Sequence, residues 1–184
     1  MYDEIRYPTD EYERNLNIGS QLGAQNVEAL LEWKLAFIPE REREILVLKL
    51  APRVSRRLES FNEFRSLQEV SEEQFNEFWN LCQGLAREVE RGFVIGAFLL
   101  HIARPLDYPM ADQHALRAYH FIEMGEVTDP PQNLETYVEY RIFLRWRERG
   151  LFGRSLGSNH VGSNEITFRN DSQSPRRVVS VNHR

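Results

Sequence analysis

The chain has 184 residues, 41% apolar and 28% charged, with a formal net charge of −5. That size fits one globular domain, and a body of ~150 residues buries roughly 68–70% of its unfolded surface, enough for a core without covalent staples. The single cysteine, Cys82, excludes an intrachain disulfide, and the acidic balance argues against a protein that coats nucleic acid nonspecifically.

Residues 1–20 are polar and tyrosine-rich, with no clear period. From Asn26, Val27, Leu30, Leu31, Leu35 and Ile38 fall on one helical face. Pro39 opens the next segment as a first-turn proline, with Glu40 and Glu42 at its positive end, and Pro52 is expected to end or kink it. Val54, Leu58, Phe61 and Phe64 mark a further amphipathic stretch. Ser71-Glu72-Glu73-Gln74 is a capping box. Behind it Phe75, Phe78, Trp79, Cys82, Leu85, Ala86 and Val89 recur at spacings of three and four, which predicts a helix. Gly92 to Ala103 is apolar nearly all round and reads as a buried central helix. Pro105 and Pro109 bracket a loop, Asp112 caps a helix ending at Gly125, and Pro130-Pro131 precedes a last helix, Leu134 to Arg149, ending at Gly150.

After Gly150 the composition changes. Residues 151–184 hold six serines, four asparagines and three glycines without a sustained period, which predicts a disordered, flexible basic tail. Its five arginines against Glu165 and Asp171 give +3, leaving the body at −8. Arg177 to Val181 alternates as a short strand does, the one strand signal of note. The expected architecture is all-α: an orthogonal multi-helix domain of six or seven helices over residues 1–150, with the buried central helix inside it.

The cations are lopsided. Of 23 basic residues only Lys34 and Lys49 are lysines. Arg141, Arg145 and Arg149 form one helical stripe, read either as a solvated face or as phosphate-contacting, and Arg53, Arg56 and Arg57 form a smaller patch of the same kind. His101, His114, His120, His160 and His183 show no metal-binding spacing, so no metal and no cofactor is expected. Cys82 on its apolar face reads as a core thiol.

Gly92-Phe93-Val94-Ile95-Gly96-Ala97-Phe98-Leu99-Leu100-His101 followed by Tyr108-Pro109-Met110-Ala111-Asp112-Gln113-His114-Ala115-Leu116-Arg117 resembles the helix-hairpin-helix DNA glycosylase superfamily, the endonuclease III-like enzymes. The likeness covers residues 85–125 loosely and about 30 residues closely. It implies a glycine hairpin opening a buried helix, then Asp112, His114 and Arg117 as the family's Asp-x-His-x-x-Arg. It further implies Asp112 as the catalytic carboxylate, with Arg91, Gly92, His114 and Arg117 touching double-stranded DNA. Chemically, a carboxylate fixed at a helix N-cap suits stabilisation of a sugar cation and orientation of a water once a base is flipped out. The hairpin's amides would grip a phosphate.

The chain also departs from the pattern. Glu90 stands where the hairpin's first glycine belongs, and Val94 where bifunctional members carry a lysine. Neither Lys34 nor Lys49 is near this stretch in sequence, so lyase chemistry is not expected. With one cysteine, an iron–sulfur cluster is not expected either. Asp112 also reads simply as a helix cap, and His114 and Arg117 as surface polar groups.

The expectation is therefore a DNA-binding, base-excision-repair-like protein, a monofunctional N-glycosylase on damaged or modified bases. The alternative is a non-enzymatic helical interaction protein with a protein partner on the same scaffold. The longest apolar run, Phe93 to Leu100, is too short for a bilayer, and the polar opening Met1-Tyr2-Asp3-Glu4 is unlike a signal peptide, so a cytoplasmic protein without a membrane partner is expected.

Overall fold

In the computed structural model, residues 9–16, 18–87, 89, 92–125 and 127–153 are described, the last six as backbone alone. They form eight helices: α1 (Thr9–Leu16), α2 (Ala24–Lys34), α3 (Glu40–Ser55), α4 (Leu58–Ser66), α5 (Glu72–Arg87), α6 (Gly92–Ala103), α7 (Gln113–Met124) and α8 (Leu134–Gly153). The fold is all-α, and no strand occurs among the described residues. The count exceeds the expected six or seven by α1, whose eight residues bury only Leu16. The expected tail lies, from residue 154 onward, outside the described residues, as does the strand-like Arg177 to Val181.

The central helix is as anticipated. In α6 every residue from Ile95 to Ala103 is buried, and its most extensive packing is with α5. On α5 the whole periodic face is inside: Phe75, Phe78, Trp79, Cys82, Leu85 and Ala86. Val89 just beyond is also buried. Burial pushes the Cys82 thiol well up, so it is an inert core group. The two helices approach closely because Gly96 lies beneath the Gln83 amide; a Cβ at Gly96 would stand 2.1 Å from Gln83 Nε2.

Local signals held at most ends. Gln74 N donates to Ser71 Oγ (3.2 Å) and Ser71 N donates to Gln74 Oε1 (3.0 Å), both bonds of the capping box. Gly125 closes α7 with φ 75°. Asn133, overlooked in the sequence, caps α8 by accepting from Thr136 N at 2.9 Å.

Several boundaries differ. Val54, read together with Leu58, Phe61 and Phe64, belongs to α3, and α4 begins at Leu58. The α2 face runs to Ile38, but the helix ends at Lys34; Leu35 and Ile38 are buried from a turn instead. Pro52 lies inside α3, which continues to Ser55. The carbonyl that loses its partner belongs to Leu48, a residue 71% exposed, where water can replace the missing N–H. Finally, α8 passes through Gly150 to Gly153, because glycine lowers helix propensity by about 1 kcal/mol without forbidding a helix.

Two arginines tie the helix ends together. Arg65 donates to Ile102 O (3.1 Å) and Leu16 O (2.8 Å), and Arg104 donates to Leu67 O (2.6 Å), so carbonyls left open at the ends of α6, α1 and α4 find donors. No helix among the described residues is long and apolar enough to cross a membrane.

Candidate functional site

The loop between α6 and α7 is pinned by its backbone. Asp107 O accepts from Arg141 Nε (2.9 Å), Tyr108 O from His101 Nδ1 (2.7 Å), Pro109 O from the Tyr137 hydroxyl (3.0 Å) and Met110 O from the Tyr140 hydroxyl (3.4 Å). Four consecutive carbonyls thus find side-chain donors from α6 and α8. A loop this short of regular structure needs such donors, because its buried polar groups cannot reach water.

The side chains reinforce it. Tyr108 is 1% exposed and stacks on Phe64 and Phe75, with the Arg141 guanidinium 4.2 Å from its ring centroid. The Asp107 carboxylate accepts from Arg104 (2.6 Å) and Arg145 (3.2 Å). The expected cationic stripe on α8 is therefore turned partly onto this loop, with Arg145 also exposed to solvent. Arg141 and Arg145 hold this loop, and the side chain of Arg149 lies outside the described residues.

His101 is a buried internal link. A carbonyl only accepts, so Nδ1 carries the proton toward Tyr108 O and Nε2 accepts from the Tyr12 hydroxyl of α1. Burial pulls its pKa down to about 4; the hydrogen bond to Tyr108 opposes this and the Lys34 charge adds to it.

At the end of the pinned loop stands Asp112, the N-cap of α7 (φ −130°, ψ 175°). Its Oδ1 accepts from Ala115 N at 2.9 Å, which fixes the carboxylate's direction. Its Oδ2 lies 3.8 Å from Lys34 Nζ, and the two side chains are 41% and 8% exposed. Lys34 comes from the last turn of α2 and was not expected near this stretch; the fold overturns that expectation. Its ammonium also lies 3.4 Å from Met110 Sδ and 5.8 Å from the Phe98 ring centroid. Burial lowers the Lys34 pKa, against the opposing charge and hydrogen bonding of Asp112. Tyr140 is pushed up to about 12, first by burial and then by the Asp112 charge.

Of the other anticipated site residues, none among those described makes a hydrogen bond or ion pair to Asp112. Gly92 opens α6 with φ +24°, and nothing lies within 4 Å of an ideal Cβ there, so the need for glycine is conformational rather than steric. Arg91 and Glu90, the rest of the expected hairpin, lie outside the described residues. His114 is exposed on the first turn of α7. Arg117 is paired with Asp129 through Nε and, at 3.0 Å, through a second guanidinium nitrogen. A separate cleft of about 440 Å³, between the α1–α2 turn and Arg104 to Asp107, is lined by Asn62, Arg65 and Leu106 among others, and Asp112 takes no part in it.

Lys34 and Tyr12 are the members that sequence reasoning missed. The one available hint was compositional: a lysine among 21 arginines, at the inner edge of an apolar face. Chemically, the pair offers a fixed carboxylate, partly exposed, beside an amine that is shielded from water. Comparison of the chain with protein-family models, with curated proteins and with solved structures finds no match in any of the three.

Proposed function

We propose that this chain is a DNA-binding, base-excision-repair-like protein that hydrolyses the N-glycosidic bond of a damaged or modified base. The observation that carries the reading is Asp112. Its carboxylate is oriented by the α7 N-terminus at the end of a loop whose four carbonyls are held, behind a buried helix that opens at a positive-φ glycine. In such a reaction the C1′–N bond breaks with its electron pair leaving on the base. Positive charge grows on the sugar, Asp112 stabilises it, and a water oriented by the same carboxylate adds at C1′.

Binding to a short duplex with an abasic-site analogue, against the undamaged duplex at low and moderate salt, tests the reading. Preference for the abasic duplex is expected, with affinity falling as salt rises. Asp112→Asn keeps a residue able to cap and is expected to abolish excision while leaving DNA binding largely intact. Equal excision by both proteins removes Asp112 from the chemistry.

A second reading, a non-enzymatic helical interaction protein, is favoured by the apolar residues exposed on and after α7 (Phe121, Ile122, Met124, Val127) and on α8 (Ile142, Trp146). The engagement of Arg117 by Asp129 favours it as well. It predicts no retention on either duplex even at low salt.

A further inference from the structure

We infer that Lys34 is an imine-forming amine, and that the Lys34–Asp112 site takes a small aldehyde. The inference stands apart from the DNA reading and rests on how the amine is housed. Lys34 Nζ has three donors to satisfy. Among the described residues it meets a thioether sulfur, a weak acceptor, at 3.4 Å, and the Asp112 carboxylate at a long 3.8 Å. The Phe98 ring face forms another wall. An ammonium so poorly solvated gives up its proton more readily than a surface lysine, and that is the ordinary way a protein makes a lysine nucleophilic.

Arginine in this place would stay charged at any physiological pH. In a chain that uses arginine for 21 of its 23 basic residues, the caged cation is one of the two that can become a free base. The remaining polar groups around it suit the same chemistry. Asp112 Oδ2 is positioned to take the ammonium proton, and its side chain, two-fifths exposed, gives the amine an edge on solvent. His101 on α6, which feels the Lys34 charge, is uncharged at neutral pH, and Tyr140 on α8 faces Asp112 and keeps its proton.

The step balances without any further reactant. The free amine's lone pair attacks the aldehyde carbon, forming a C–N bond as the carbonyl π electrons move to oxygen. That oxygen takes up protons and leaves as water, carrying the amine's two hydrogens. A C=N bond to Lys34 remains, and Asp112 shuttles the protons between nitrogen and the departing oxygen. The apolar wall of Phe98 and Met110 slows the return attack of water.

The chain carries its own control, because Lys49 on the exposed face of α3 is the one other lysine. The full chain is incubated with propionaldehyde and sodium cyanoborohydride at pH 7, digested, and the adducts at Lys34 and Lys49 are quantified by mass spectrometry, in buffer and in urea. In the native protein the adduct at Lys34 is expected to exceed that at Lys49 on the order of tenfold, and in urea the two are expected to converge. Native labelling at Lys34 equal to or below that at Lys49, no native labelling at Lys34, or a preference that persists in urea overturns the inference. No DNA enters the reaction, so this result and the duplex-binding result succeed or fail separately.

Discussion

Lys34 and Asp112 share one contact but not one cost. Asp112 caps α7 and is two-fifths exposed, whereas Lys34 is buried. Replacing a buried ion by an apolar group of similar length is often neutral, while deleting its partner leaves an uncompensated charge inside. Lys34→Met is therefore expected to change unfolding free energy by no more than about 1 kcal/mol. Asp112→Ala is expected to cost about 1–2 kcal/mol through the lost cap alone. Urea midpoints of the two variants check the order; a larger loss for Lys34→Met would mean that the amine's packing against Met110 and Phe98 outweighs its burial cost.

His101 gives a pH dependence at the same scale. Its imidazole titrates at about 4 in the folded chain and at an ordinary 6.5 when unfolded, so the unfolded chain binds the proton first as pH falls. The stabilisation is complete above pH 6.5 and is lost progressively down to about pH 4, amounting to on the order of 3 kcal/mol. His101→Gln, which can still donate to Tyr108 O and accept from Tyr12, is expected to flatten the fall in urea midpoint over that window. An unchanged slope would place the acid sensitivity elsewhere.

Among the elements, α5 and α6 define the molecule, and their contact includes a flaw. Gln83 lies over Gly96 with its Nε2 buried and without a hydrogen-bond partner among the described residues. A buried unsatisfied donor costs roughly 1–3 kcal/mol. Gln83→Leu drops the amide and shortens the side chain by one atom, so a gain of about 1 kcal/mol is expected in thermal or urea unfolding. A loss instead would show that the amide has a bonding role which leucine cannot fill. The same pair explains why Gly96 belongs in an otherwise bulky helix.

At the scale of the whole molecule, five arginines act as ties between segments. Arg65 and Arg104 close helix ends, Arg141 and Arg145 hold the α6–α7 loop, and Arg117 is held by Asp129. Nearly every helix was legible beforehand, because spacings of three and four state which face is buried, and Ser71, Gln74, Asp112 and Gly125 state where helices begin and end. The exception, α1, has only two apolar residues, Tyr12 and Leu16; it is held by Leu16 in the core and by Tyr12 on His101.

The sequence by itself determined the all-α class, the buried central helix, the inert Cys82 and the capping role of Asp112, since each follows from residues within one or two turns of one another. Only the tertiary structure decided that Lys34 meets Asp112, that Tyr12 meets His101, and that Arg141 and Arg145 of α8 close on the loop before α7. Those contacts join residues far apart in the chain. They depend on how the helices cross, and periodicity, which records the buried face but not the partner that covers it, does not encode the crossing.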